Sequence, residues 1–373
     1  MSRLKELERL GQSVWIDFIR RSLLTGGGLE KLVRQDGVKG LTSNPAIFEK
    51  AIGSGAEYQA ALAAAARLGD IDPEQLYERI AIEDIRMAAD QMRPVFEATN
   101  GRDGFVSLEV SPKHAHDTAR TVSEAHRLQE TVSRPNLLIK VPATPAGIPA
   151  IEQLIFDGVN VNVTLLFAVT MYARVVEAHL RGLERRIVAG KPVNGVASVA
   201  SFFVSRIDSN IDAQLERKAA TLPEGERQSL LDLRGKAAVA NAKVAYEHYK
   251  GVIGSKRWQK LAGHGAHPQR LLWASTSTKN PSYPDTLYVD ELIGPDTVNT
   301  IPPATLDAFR DHGNPGPTLD RNLPEANAIL EEIAAAGISL DAATAQLLDE
   351  GVNLFAEAFD RLLEAVGRAR QAA

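Results

Sequence analysis

The run NLLIKVPATPAG at 136–147 sets a lysine, Lys140, inside a stretch that otherwise reads as a buried strand. Burying an ammonium costs several kcal/mol, so a lysine in such a run needs a partner or a purpose. A lysine held among apolar neighbours loses solvation for its charged form, and the neutral amine attacks carbonyl carbon. The product is a Schiff base, whose iminium draws electrons and lets the carbon–carbon bond beta to it break or form through an enamine. Acid and base groups must dehydrate the carbinolamine and deprotonate the leaving hydroxyl. Glu109, ending GFVSLEV, and Asp17, ending SVWID, are the candidates. Thr164 shares a strand face with Asn162 and could hold a water between Glu109 and the lysine nitrogen.

These residues share one property, which is that each stands at the end of a short β-branched run. The runs cover 13–17, 38–44, 104–110, 137–142, 161–167, 196–204, 270–276 and 297–303. Between them lie segments with apolar residues every three or four positions, as at 73–98, 114–132, 168–189 and 236–250. Strand then helix, repeated, implies parallel pairing with helical crossovers. Eight such units predict a closed (β/α)8 TIM barrel with extra helices, formed as a single domain over 1–373. An open doubly wound sheet would more naturally carry a glycine-rich nucleotide turn, and none is present. The connection 45–103 holds more than one helix, 205–269 a long helical pair, and helices at about 324–336 and 338–371 pack on the barrel.

In such a barrel the reactive groups sit at the carboxyl ends of the strands. Read there, the sequence offers Asp17, Asn44, Glu109, Lys140, Asn162 with Thr164, Ser201 with Arg206, and Ser277 with Lys279; the eighth strand offers nothing chemical. Asn44, Asn162 and Ser201 suit a polyol. Arg206 and Lys279 follow the sixth and seventh strands, where phosphate is frequently bound, so a phosphorylated sugar is the implied substrate. Each residue alone has a plainer reading. Lys140 could snorkel to solvent, Asp17 and Glu109 could form caps or surface pairs, and Asn44 before Pro45 could simply start a helix. Two carboxylates, a lysine and two amides at one mouth are what favour chemistry.

A net charge of −5 with interspersed signs argues against nucleic acid or a membrane surface as partner. The absence of cysteine removes disulfides, thiolate nucleophiles and cysteine-ligated zinc. No apolar run is long enough to span a bilayer and no signal peptide is evident, so the expected location is cytoplasmic. A metal-dependent aldolase is the nearest rival, with HAH at 114–116 and HGAH at 264–267 as imagined zinc ligands. A catalytic zinc needs three protein ligands, and these histidines fall at a helix start and in a glycine-rich loop. A non-catalytic phosphosugar sensor is the second rival, though binding alone needs no buried amine. The triple glycine at 26–28 lacks P-loop spacing and reads as a turn between helices.

GVKGLTSNPAIF, LLIKVPATPAGIPAI, GVNVNVTLLF and ASFFVSRID resemble the strand motifs of the transaldolases, Schiff-base enzymes of the pentose phosphate pathway. The resemblance runs from Asp17 to Lys279, and SLEVSP with the chain length resembles the longer bacterial and plant branch. It implies Lys140 as the Schiff-base lysine, Glu109 with Thr164 and a water as proton relay, and Asp17 as acid/base for the cleaved bond. Asn44 and Asn162 would hold the dihydroxyacetone moiety, Ser201 and Ser277 would line the pocket, and Arg206 would bind phosphate. Phe203 stands where the related fructose-6-phosphate aldolases carry tyrosine, and Glu109 where they carry glutamine, which favours transfer over release. The chain departs from the family at STKN, where many members carry arginine; Lys279 keeps the charge and loses the bidentate fork. Neither metal nor organic cofactor is implied; the partners are phosphorylated sugars, with a homodimer left open.

Overall fold

The computed structural model describes residues 2–54, 56–66 and 72–371. Eight parallel strands close in sequence order: β1 (Gln12–Ile16), β2 (Gly40–Leu41), β3 (Phe105–Glu109), β4 (Leu137–Pro142), β5 (Val161–Leu166), β6 (Ser198–Phe203), β7 (Arg270–Ala274) and β8 (Thr297–Ile301), with β8 returning to β1. The expected (β/α)8 barrel is thus present. β2 is shorter than the predicted run, and its first residue must be glycine, since a Cβ on Gly40 would sit 2.4 Å from the Trp15 ring. The N–H groups of Lys39 and Thr42 still bond to the carbonyls of Val14 and Ile16, which keeps the wall closed.

Side-chain alternation then decides what faces the barrel axis. On β4, Lys140 shares its face with Leu138 and Pro142, while Leu137, Ile139 and Val141 alternate to the other face. Register pairs Lys140 with Glu109 on β3 and with Asn162 on β5. A polar layer crosses the interior at this level: Asn162 Nδ2 donates to Ser107 Oγ at 3.0 Å, and Ser201 Oγ donates to Asn162 Oδ1 at 2.7 Å.

Helices cover the wall. Pro73–Ala98 forms as predicted, started by Asp72, whose carboxylate accepts from Gln75 N. The segment predicted at 114–132 divides into a short turn, Pro112–His114, and a helix, Thr118–Val132, because Asp117 caps Arg120 N and restarts the helix. The predicted pair within 205–269 is four helices: Ser205–Ala219, Glu224–Leu231, Ala237–Gly254 and Lys256–Gly263. Pro223 precedes the second, and the Ser255 hydroxyl caps Trp258 N to separate the last two. The triple glycine joins the short helices Arg21–Thr25 and Gly28–Asp36, with Gly27 at φ 71°. The C-terminal helix Leu340–Gln371 packs on Pro45–Ser54 and Pro73–Ala98 and reaches β5.

The amino ends of the strands carry a different kind of polar group. Arg270 opens β7 and is buried against Asp103 at 3.0 Å; Ser13 Oγ and Trp15 Nε1 donate to the same carboxylate at 2.8 and 2.9 Å. Arg270 also donates to Ser13 Oγ and to the Arg102 carbonyl, so this buried pair has its hydrogen bonds filled. Removing one partner of such a pair strands the other charge. Asp103→Ala is therefore expected to lower unfolding free energy by about 3–5 kcal/mol; an unchanged denaturation midpoint in urea would contradict this account of the barrel floor.

Candidate active site

At the carboxyl end of the barrel a cavity of about 140 Å³ is lined by Asp17, Asn44, Lys140, Thr164, Ser201, Phe203, Arg206, Ser277 and Lys279. Nine of the predicted residues, from six strands and the loops after them, thus share one space. Two do not line it. Asn162 is fully buried beneath it, bonded to Ser107 and Ser201, so it holds the floor. Glu109 meets Lys140 Nζ at 3.5 Å and lines a second, smaller cavity in the barrel wall.

The Lys140 side chain is 6% exposed. Its Nζ donates to the Ser43 carbonyl at 3.1 Å and lies 6.0 Å from the ring centre of Phe355. Burial pushes the Glu109 carboxyl up to about 7, against the opposing pull of Lys140. The buried Glu109 Oε2 has only the Lys140 ammonium beside it, at a long 3.5 Å, which leaves its ionised form little supported. Asp17 is also raised by burial, but Lys140, a 2.6 Å hydrogen bond from Thr42 and the charge of Lys279 all oppose the shift. The Thr164 hydroxyl is buried without a partner.

Across the mouth, Arg206 stands 5.9 Å from the Phe203 ring centre, and Phe203 packs on Phe167 at 5.2 Å. Arg206 makes no salt bridge among the described residues, and burial lowers its pKa against the field of Glu350. Lys279 is exposed as a residue, yet its ammonium is lowered first by partial desolvation and then by the charges of Arg206 and Lys50. Cations that disfavour one another in this way make a site for an anion. Asn44 serves two ends, capping Ile47 N at 2.9 Å while lining the cavity.

Lys140, Asp17 and a cationic rim meet at the mouth of a (β/α)8 barrel, with Glu109 against the lysine from the wall. The family model described as transaldolase/fructose-6-phosphate aldolase matches residues 14–366. The chain belongs to this family. Transaldolase 2 of a Nostoc species is 47% identical over 98% of this chain and 97% of its own length. Transaldolase 1 of Streptomyces avermitilis is 49% identical over 97% and 95%, and the transaldolase of Thiobacillus denitrificans 47% over 98% and 100%. Within the family these relatives carry the transferase name, not the aldolase one.

Reading strand ends overlooked several groups. The eighth strand does contribute: Thr300 lines the cavity and bonds to Thr42 Oγ1 at 2.7 Å, extending a hydroxyl chain to Asp17. Alternation along TVNTIPP signals Thr300, since Val298 and Thr300 share a face. Phe355 comes from the C-terminal helix, which no strand pattern announces. His114 lies 3.3 Å from Glu124 and His267 bonds to the Asn194 carbonyl; among the described residues no group of three or more metal-ligating side chains assembles. No helix there is long and apolar enough to cross a membrane.

An unpartnered buried hydroxyl costs stability and must be retained for another reason. Thr164→Val is expected to leave unfolding free energy unchanged or raised by up to about 1 kcal/mol. Turnover should fall by at least about tenfold. Denaturation and steady-state assays on the same preparation test both, and a stability loss with full turnover would reverse the reading.

Proposed function

We propose that this chain is a transaldolase that moves a dihydroxyacetone unit from sedoheptulose 7-phosphate to glyceraldehyde 3-phosphate, giving erythrose 4-phosphate and fructose 6-phosphate. The observation that carries it is the buried Lys140 amine at a cavity whose rim holds Arg206 and Lys279, which form no salt bridge among the described residues. The amine adds to the donor's ketone, and water leaves as the iminium forms. Asp17 takes the proton of the C4 hydroxyl as the C3–C4 bond breaks, and the electron pair flows into the enamine. The first aldehyde departs, a second enters, and the steps reverse, with water hydrolysing the iminium at the end. The lysine itself is the electron sink, so this route needs neither metal nor organic cofactor.

Glu109 serves as base and acid at the nitrogen, with Thr164 holding the water. Asn44, Asn162 and Ser201 receive the hydroxyls of the three-carbon unit, the first and last directly and Asn162 from below. Arg206, Lys279 and Ser277 take the phosphate; Lys279 Nζ already bonds to Ser277 Oγ at 2.9 Å. Phe203, packed at a tilt against Phe167, puts no proton donor beside the enamine, which favours transfer over protonation and release. We place the enzyme in the cytoplasm, as one barrel domain that acts on phosphorylated sugars without nucleic acid or membrane; a homodimer fits this reading.

Borohydride added with fructose 6-phosphate should inactivate the enzyme and leave a stable adduct on the peptide bearing Lys140. Lys140→Ala that still formed a reducible adduct would remove the central claim. Glu109 gives a second test. A carboxyl at about 7 that must be ionised to accept a proton makes kcat/KM rise as pH passes through 7. Glu109→Gln should lower kcat by about 10²–10⁴ and abolish that limb. Between pH 4.5 and 7 the folded wild type holds a proton that the unfolded chain releases, so Glu109's contribution to stability declines as pH rises. The variant should flatten that part of the stability profile.

A further inference from the structure

The cavity behind Glu109, about 30 Å³, lies between β3 and the helices Pro73–Ala98 and Thr118–Val132. That is room for a water. Its lining holds buried polar atoms without a hydrogen bond among the described residues: Ser111 Oγ, and Glu109 Oε2 and Glu124 Oε2, whose ion-pair contacts are Lys140 Nζ at 3.5 Å and His114 Nε2 at 3.3 Å. Ser111 is 6% exposed and lines the cavity beside Glu109 and Glu124. Apolar cavities stay dry, whereas unsatisfied polar atoms around one void are bridged by water.

The groups are also graded outward. Glu109 is 6% exposed, Glu124 13% and His114 26%, and His114 Nε2 lies 3.3 Å from Glu124 Oε2. Glu124 is fixed from its other side, where Oε1 accepts from Ser111 N at 3.0 Å. The neighbours that bear on these groups are Glu74, Tyr77 and Glu78 of the first helix, Arg127 of the second, and Asp360 with Lys113 nearer the C-terminal helix. Arg127 is occupied by Glu78 through two hydrogen bonds, at 2.5 and 2.6 Å, and is 3.9 Å from Glu124. On the inner side Glu109 faces Lys140 and the field of Asp17.

We propose that Ser111, Glu124 and His114 form a proton path through the barrel wall that resets Glu109 while sugar fills the mouth. The inference rests on the transaldolase reading, in which the enamine keeps the mouth occupied between two aldehydes. Glu109 opens on the wall cavity and not on the mouth, so the wall is its route to solvent. A proton leaves the Glu109 carboxyl for the cavity water, which passes one to the Glu124 carboxylate. Glu124 hands it to the His114 imidazole, and His114 exchanges it with bulk. The reverse order reloads Glu109. Ser111 orients the water, and Glu124 and His114 are positioning residues that act through Glu109.

The test compares Glu124→Gln, Ser111→Ala and His114→Ala with wild type in steady-state transfer and in borohydride trapping with fructose 6-phosphate. About tenfold lower kcat is expected for Glu124→Gln, with KM within about twofold and the trapped adduct undiminished. His114→Ala should lose a similar factor and regain most of it in added imidazole, which a merely structural role would not produce. Ser111→Ala removes one hydroxyl and no packing, so it guards against misfolding of the others; a loss of about threefold or more is expected. Wild-type kcat in Glu124→Gln or Ser111→Ala, or no response of His114→Ala to imidazole, overturns the path while an adduct on Lys140 keeps the transaldolase reading. Failure of wild type to trap an adduct overturns both.

Discussion

The Lys140–Glu109 pair is the constraint around which the barrel is arranged. Two ionisable side chains, each 6% exposed, meet at 3.5 Å because their strands are neighbours and their register places them side by side. Desolvating both costs several kcal/mol per ion, and a pair at that separation returns only part of it. The Ser43 carbonyl and the Phe355 ring contribute a little more. Glu109 responds by rising to about 7, so near neutrality the pair is poised between two states of ionisation. A site of this kind is a destabilising feature, and the remainder of the fold has to hold it in place.

That support comes from the opposite end and from the outside. At the amino ends of the strands Arg270, Asp103, Ser13 and Trp15 satisfy one another, in contrast to the unfilled groups above. At the carboxyl ends the backbone itself is irregular: Leu165, directly after Thr164, has φ 59°, and Ser275, just beyond β7, has φ 57°. A γ-branched residue in the left-handed region is uncommon and costs of order 1–3 kcal/mol. Gly351 of the C-terminal helix sits where a Cβ would come within 2.9 Å of Leu165, so the helix that supplies Phe355 also braces this strained position. Stability is concentrated on one face and chemistry on the other, as expected of this barrel.

The strands were legible because their pattern is local. Alternation and β-branching marked eight runs, and the rule that barrel chemistry sits at strand ends selected eight residues that share one cavity, with Phe203 added by the family resemblance. What escaped depends on contacts distant in sequence. Gly40 of β2 is held to glycine by the Trp15 ring of the neighbouring strand. Thr42 and Thr300 matter through each other, 258 positions apart. The division of 205–269 into four helices is partly set by contacts across the segment, since Asp208, on the first, accepts from Ala238 N at the start of the third. Phe355 belongs to an amphipathic helix whose apolar stripe says that it is covered, and not what it covers.

Two carboxylates in one site invite the question of which handles which proton, and their surroundings answer it. Burial raises Asp17, but a 2.6 Å hydrogen bond from Thr42, itself held by Thr300, and two cations oppose that rise and give its anion partners at the mouth where a sugar hydroxyl would lie. Glu109 has one cation, at a long 3.5 Å from Oε2, and a place in the wall. Burial raises both carboxyls, and the different support each anion receives separates their roles. The supported carboxylate suits the substrate hydroxyl, whose proton it takes as the carbon–carbon bond breaks. The unsupported one, titrating near neutrality beside the amine, suits a proton that must come and go more than once in each turnover.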